Sequence, residues 1–124
     1  MSNEQLMRSY YEAYNSEDEM RLAPLLAEDV VLVSAAGEQT GREAYLATYR
    51  YMIATFIDRM TPERIVGNAE GAVVDIHDRL VARGDVEDFL GMSLHAGQAV
   101  ELALTGRYRI ADGRIHHIEI APRG

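Results

Sequence analysis

From Gln98 to Ile120 the chain reads QAVELALTGRYRIADGRIHHIEI. Val100, Leu102, Leu104, Gly106, Tyr108 and Ile110 share one parity, while Glu101, Thr105, Arg107 and Arg109 take the other. A period of two with one apolar face is a half-buried strand. Asp112-Gly113 has the chemistry of a two-residue hairpin turn, so Arg114–Ile120 returns as an antiparallel neighbour. On that return strand His116, Ile118 and Ile120 are placed inward, with Ile115, His117 and Glu119 outward. A slip of one residue would exchange His116 for His117.

The same alternation runs through Ala72–Arg83. Val74, Ile76, Asp78, Leu80 and Ala82 lie on one side; Val73, Asp75, His77, Arg79, Val81 and Arg83 lie on the other. Glu63–Ala69 precedes it as a fourth long strand, with Glu70-Gly71 as the turn between them. Val30-Val31-Leu32-Val33 is a further strand. The remainder of the first half reads helical. Ser2 or Asn3 caps a helix whose apolar stripe is Leu6, Met7, Tyr10, Ala13 and Tyr14. A short helix follows from about Asp18 to Leu26, capped by Ser16 and kinked near Pro24. A long one runs from about Arg42 to Ile57, with Tyr45, Leu46, Tyr49, Met52, Ile53, Phe56 and Ile57 on its buried side. Helices first and an antiparallel meander afterwards predict an α+β fold, three N-terminal helices covering a curved sheet that encloses one pocket.

At 124 residues the chain is expected to be a single domain, 1–124. It carries a net charge of −8, which argues against nucleic acid. All 12 basic residues are arginine, so lysine Schiff-base chemistry is excluded. There is no cysteine, hence no disulfide framework. No apolar run reaches the ~20 residues that span a bilayer, and Met1–Gln5 lacks the layout of a signal peptide. Cytoplasmic residence is the simplest reading. No His or carboxylate cluster has metal-ligand spacing, and no phosphate or dinucleotide fingerprint occurs, so action without metal or cofactor is expected.

Phe89-Leu90-Gly91-Met92 to Gly97 with the strand behind it, Tyr108–Ile115, and Leu25-Leu26-Ala27-Glu28-Asp29-Val30 form a pattern over essentially the whole chain. It resembles the nuclear transport factor 2-like superfamily and, within it, the SnoaL-like proteins. The resemblance implies a conical pocket, a homodimer through the outer sheet face and small-molecule acid–base chemistry. In an ungapped match from Leu6 to Ser34, Tyr10 falls where ketosteroid isomerases keep an oxyanion-hole tyrosine, and Ser34 where they keep a proton-shuttling aspartate. Gly106 falls near their second, aspartic oxyanion donor and near the catalytic aspartate of SnoaL-type cyclases. Against limonene epoxide hydrolases, Asp78 matches the aspartate of the Arg-x-Asp pair, but Ile76 replaces the arginine and Ile120 the second aspartate.

Asp78 is the odd member of an apolar row. It is either a general acid or base with a raised pKa, or a structural carboxylate paired with an Arg or Tyr, or, if the register slips, an exposed side chain. His116 either complements Asp78 across the strand bearing Gly106 or is an ordinary hydrogen-bonded or solvent-facing histidine. Tyr10 either donates to a developing oxyanion or simply packs. The expected pocket wall is Tyr14, Ser34, Tyr49, Phe56, Ile76, Leu80, Leu102, Leu104, Gly106, Tyr108 and Ile118, with Phe89, Leu90, Met92 and Leu94 as a mouth or a dimer contact. The function expected is a cofactor-independent acid–base enzyme of isomerase, lyase, cyclase or hydrolase type, acting on a small apolar or aromatic molecule. The rival is a non-catalytic binding or dimerisation module on the same fold.

Overall fold

Ser2 starts the first helix, α1 (Asn3–Asn15), with a reciprocal cap. Its hydroxyl accepts the Gln5 N–H at 3.1 Å, and the Gln5 side chain accepts the Ser2 N–H at 2.8 Å. Two donors that a helix start leaves unpaired are thereby satisfied. The stripe Leu6, Met7, Tyr10, Ala13 and Tyr14 is buried, and Tyr11 joins it. The second helix, α2 (Glu19–Leu22), is shorter than its sequence suggests. Asp18 rather than Ser16 caps it, because the Ser16 hydroxyl is occupied by the Asp18 N–H. Pro24 sits at the start of a 3-10 turn, Ala23–Leu25, instead of kinking a longer helix. The third helix, α3 (Arg42–Thr55), stops before Phe56, which opens a strand; Ile57 is therefore turned outward, 46% exposed.

The computed structural model describes residues 1–123, with strands β1 (Leu26–Ser34), β2 (Gly37–Thr40), β3 (Phe56–Gly67), β4 (Gly71–Ala82), β5 (Val86–Phe89), β6 (Met92–Leu94), β7 (Ala99–Ala111) and β8 (Arg114–Pro122). Six of them form one sheet in the order β2-β1-β8-β7-β4-β3, in which β1 and β8 run parallel and the other neighbours antiparallel. β5 and β6 form a separate ribbon. This is an α+β fold, with α1 and α3 laid on one face of a curved sheet.

Two hairpins behave differently. At β7–β8, Asp112 (φ 54°) and Gly113 (φ 72°) make the two-residue turn their chemistry favours. At β3–β4 the turn is wider. The Asn68 carboxamide oxygen accepts the N–H groups of Glu70 and Gly71, each at 2.9 Å, so an Asx turn closes it. Gly71 is needed there for close approach, since a Cβ would lie 1.8 Å from the Tyr108 carbonyl oxygen.

β3 is an edge strand, begun seven residues earlier than Glu63. Its exposed backbone is partly covered by Asn15 at the end of α1. The Asn15 amide donates to the Met60 carbonyl at 2.8 Å and accepts the Met60 N–H at 2.9 Å. Along β4 the parity holds: Val74, Ile76, Asp78, Leu80 and Ala82 are all buried. The last strand departs from expectation. Arg109 pairs with His117 but Ile110 with Ile115, so His116 is the extra residue of a bulge. Ile115 and Ile118 both turn inward as a result, at 0% and 1% exposure.

Candidate active site

Between the helices and the sheet lies a cavity of about 250 Å³. α1 contributes Tyr10 and Tyr14, and α3 contributes Tyr45, Thr48, Tyr49 and Met52. Leu32 and Ser34 come from β1, Met60 from β3, Asp78 from β4, Phe89 and Leu90 from the ribbon, Leu102, Leu104 and Tyr108 from β7, and Ile118 and Ile120 from β8. Asp78 carries the single carboxyl group on this wall, and neither Arg, His nor Glu reaches it among the described residues.

Tyrosines supply most of the remaining polar atoms. The hydroxyls of Tyr10 and Tyr45 are hydrogen-bonded to each other, and those of Tyr11 and Tyr108 meet at 2.7 Å. The Tyr49 hydroxyl donates to the Tyr14 carbonyl at 2.8 Å. The rings pack edge-on, with Tyr10 and Tyr108 centroids 5.6 Å apart and Tyr14 and Tyr49 4.9 Å apart. Burial pushes the Tyr10 phenol well above its ordinary value, and Tyr49 up to about 12. These groups remain neutral hydrogen-bond donors under any physiological condition.

Asp78 is 3% exposed, and β3 provides its neighbour. Asp58, 4% exposed, pairs with Leu80 while Met60 pairs with Asp78, so the two aspartates are diagonal neighbours on one sheet face. The Tyr14 hydroxyl donates to Asp58 Oδ2 at 2.8 Å. Burial first, then the closeness of the Asp58 carboxyl group and its negative charge, push Asp78 up to about 9. Burial and the neighbouring carboxyl thus favour the protonated form of Asp78 at neutral pH. Asp58 lies outside every strand expected from sequence, because that reading leaves 58–62 between the long helix and the next strand. The signal that finds it is the alternation Phe56, Asp58, Met60, which extends the strand backwards.

The family model of the SnoaL-like domain matches residues 7–118. The chain belongs to the SnoaL-like family. Among solved structures this SnoaL-like protein is similar to a candidate polyketide cyclase from Pseudomonas putida, at 24% identity over 99% of this chain and 92% of that one, with a TM-score of 0.85. IdmH, a candidate polyketide cyclase from Streptomyces antibioticus, matches at 24% identity over 98% and 91%, with a TM-score of 0.80. An LEH-like epoxide hydrolase from M. tuberculosis matches at 16% identity over 96% and 80%, with a TM-score of 0.77. At these identities the likeness establishes the nuclear transport factor 2-like fold alone. No curated protein sequence matches the chain.

Within the SnoaL-like frame, several residues expected at the site lie elsewhere. His116 does not meet Asp78. The bulge turns it toward β1, where Nδ1 lies 3.6 Å from Asp29 Oδ1 and Nε2 lies 3.2 Å from the Ala111 carbonyl. Gly106 leaves no room for a His–Asp approach, because the Tyr108 ring fills the space: a Cβ there would lie 2.7 Å from Tyr108 Cε2 and 3.1 Å from Ile76 Cδ1. Ile76 is buried in the main core rather than on the cavity wall. Phe56 and Leu80 belong to a second cluster with Ala82 and Leu94, against which Phe89 of the ribbon packs, and do not line the cavity. Tyr45, Met60 and Leu32 are wall residues that the alternation did not single out. Among the described residues no cluster of His and carboxylate side chains is arranged to hold a metal ion.

Proposed function

We propose that this SnoaL-like protein is a cofactor-independent acid–base catalyst, of isomerase, lyase, cyclase or hydrolase type, for a small, largely apolar molecule. Asp78 moves the proton, and Tyr10, held by Tyr45, donates to negative charge as it develops on the substrate. The observation that supports this most is a buried carboxyl group, its pKa pushed up by burial, in the wall of an otherwise apolar cavity. A carboxyl group kept protonated at pH 7 can hydrogen-bond to a carbonyl or epoxide oxygen, or protonate it. Low polarity strengthens that interaction, because apolar walls screen it less than bulk water does. Cytoplasmic residence and a homodimer through the outer sheet face complete the proposal. The mixed charges of Arg79, Glu101, Arg107 and Arg109 on that face suit a polar contact between copies.

The test is a panel of three neutral probes: a cyclic β,γ-unsaturated ketone, an alicyclic epoxide and a linear polyketone ester. The expected result is turnover of one class, reduced by about 10²–10⁴-fold in Asp78→Asn. Binding of the probes without turnover, or turnover that Asp78→Asn leaves intact, overturns the proposal; the first outcome identifies the non-catalytic binding module.

A further inference from the structure

A carboxyl group already protonated at neutral pH can give a proton but cannot take one. An isomerase, lyase or cyclase that begins by removing a C–H proton therefore needs basicity from somewhere else, and the cavity wall offers none. We propose that Asp58 and Asp78 act as one unit holding a single proton, with Asp58, behind the wall, supplying the basicity that lets Asp78 accept a proton from substrate.

Geometry carries this inference. The two side chains lie on the same sheet face at diagonal positions, one from β3 and one from β4. Asp58 Oδ1 and Asp78 Oδ1 are both buried without a protein donor, although Asp58 Oδ2 accepts from Tyr14. One proton held between the carboxyl groups satisfies both orphaned oxygens at once, whereas two bare carboxylates would repel with nothing to offset them. The titratable groups facing the pair are Tyr10, Tyr11 and Tyr14 of α1 and Tyr49 of α3, and each stays a neutral phenol. The chain's ion pairs engage other carboxylates, so no cation neutralises this pair among the described residues.

The step balances without a co-reactant. The substrate C–H bond breaks, its proton passes to the cavity-facing oxygen of Asp78, and the bonding electrons become an enolate that Tyr10 stabilises. In the same movement the proton Asp78 already held passes to Asp58. The pair goes from one proton and one negative charge to two protons and none. Reversal delivers a proton to a different atom of the substrate and returns the pair to its starting state. Asp58 touches no substrate. It is a positioning residue for Asp78 and the store for its proton, a role that rests on the acid–base reading above.

The experiment is NMR titration of the aspartate side-chain carboxyl carbons in the full chain, which needs no substrate. In the wild type one carboxyl is expected to stay protonated through neutral pH. Asp58→Asn removes the neighbouring charge and offers an amide donor, so Asp78 should titrate at least about two pH units lower. Tyr14→Phe removes the donor that stabilises the Asp58 carboxylate, so the pair should titrate about one unit higher. Opposite shifts from two neighbouring variants are not what a merely structural role gives. An Asp78 titration unmoved in Asp58→Asn, or shifts of the same sign in both, overturns the proposal. If Asp58→Asn does not fold, the Tyr14→Phe shift decides alone. Failure of the probe panel would leave this titration standing, and failure of the titration with turnover intact would remove only Asp58 from the mechanism.

Discussion

Replacing Asp78 by asparagine should make the protein more stable at neutral pH, and increasingly so as pH rises. In the folded chain burial and Asp58 push the Asp78 carboxyl up to about 9, against an ordinary 3.8. Between those values the folded state keeps a proton that the unfolded state has released. Unfolding then releases a proton, so stability falls with rising pH, by about 1.4 kcal/mol per pH unit from this one group. At pH 7 roughly three units have been crossed, a penalty on the order of 4 kcal/mol; it is absent below the unfolded pKa and fully developed above the folded one. The substituted amide has no proton to lose, and it can donate to the orphaned Asp58 Oδ1 while keeping the side chain's shape. Urea denaturation of wild type and Asp78→Asn at several values from about pH 5 to about pH 8 measures the difference directly. The two stability lines should diverge by about 1.4 kcal/mol per unit as pH rises. Parallel lines, or an Asp78→Asn variant less stable at every pH, would refute the reasoning.

Asn15→Ala removes both hydrogen bonds that cover the Met60 backbone on the β3 edge; it should lower stability by about 1–3 kcal/mol in the same urea assay. Gly106→Ala places a methyl group 2.7 Å from the Tyr108 ring, and the overpacking should cost about 1–3 kcal/mol while displacing Tyr108 from Tyr11, visible as a change in near-UV circular dichroism. His116→Ala should leave stability within about 0.5 kcal/mol of the wild type, since the side chain sits on a surface bulge. Whichever probe is turned over, that variant should turn it over at the wild-type rate.

The sequence shows the architecture more clearly than the site because the two depend on different scales of pattern. β4 and β7 run for 12 and 13 residues, and over that length an alternation of two repeats often enough to place Asp78 inward without coordinates. The first helix is legible for the same reason, its stripe recurring along most of its length. By contrast, a bulge is a single inserted residue. Nothing in Ile115-His116-His117-Ile118 distinguishes a regular strand from one that tucks both isoleucines in and pushes a histidine out, so simple alternation gives His116 the wrong face. The short strand β2 is Gly37-Glu38-Gln39-Thr40, polar and glycine-led, and owes its conformation to pairing with β1 rather than to its own residues. Asp58 is hidden by a boundary: Phe56 and Ile57 continue the apolar spacing of α3 just where the backbone has already become extended. Such a change of period within two residues is decided by packing, with Phe56 drawn to Leu80, Ala82 and Leu94.

Infrared spectroscopy of the carboxyl stretch at about pH 7.5, comparing wild type with Asp78→Asn, reads most directly whether a proton resides on the acid in the cavity wall. A protonated-carboxyl band that is present in the wild type, missing from the variant and converted to carboxylate only as the pH passes about 9 is the result expected. A spectrum with every aspartate ionised at that pH, or a protonated band that survives the substitution, would contradict it.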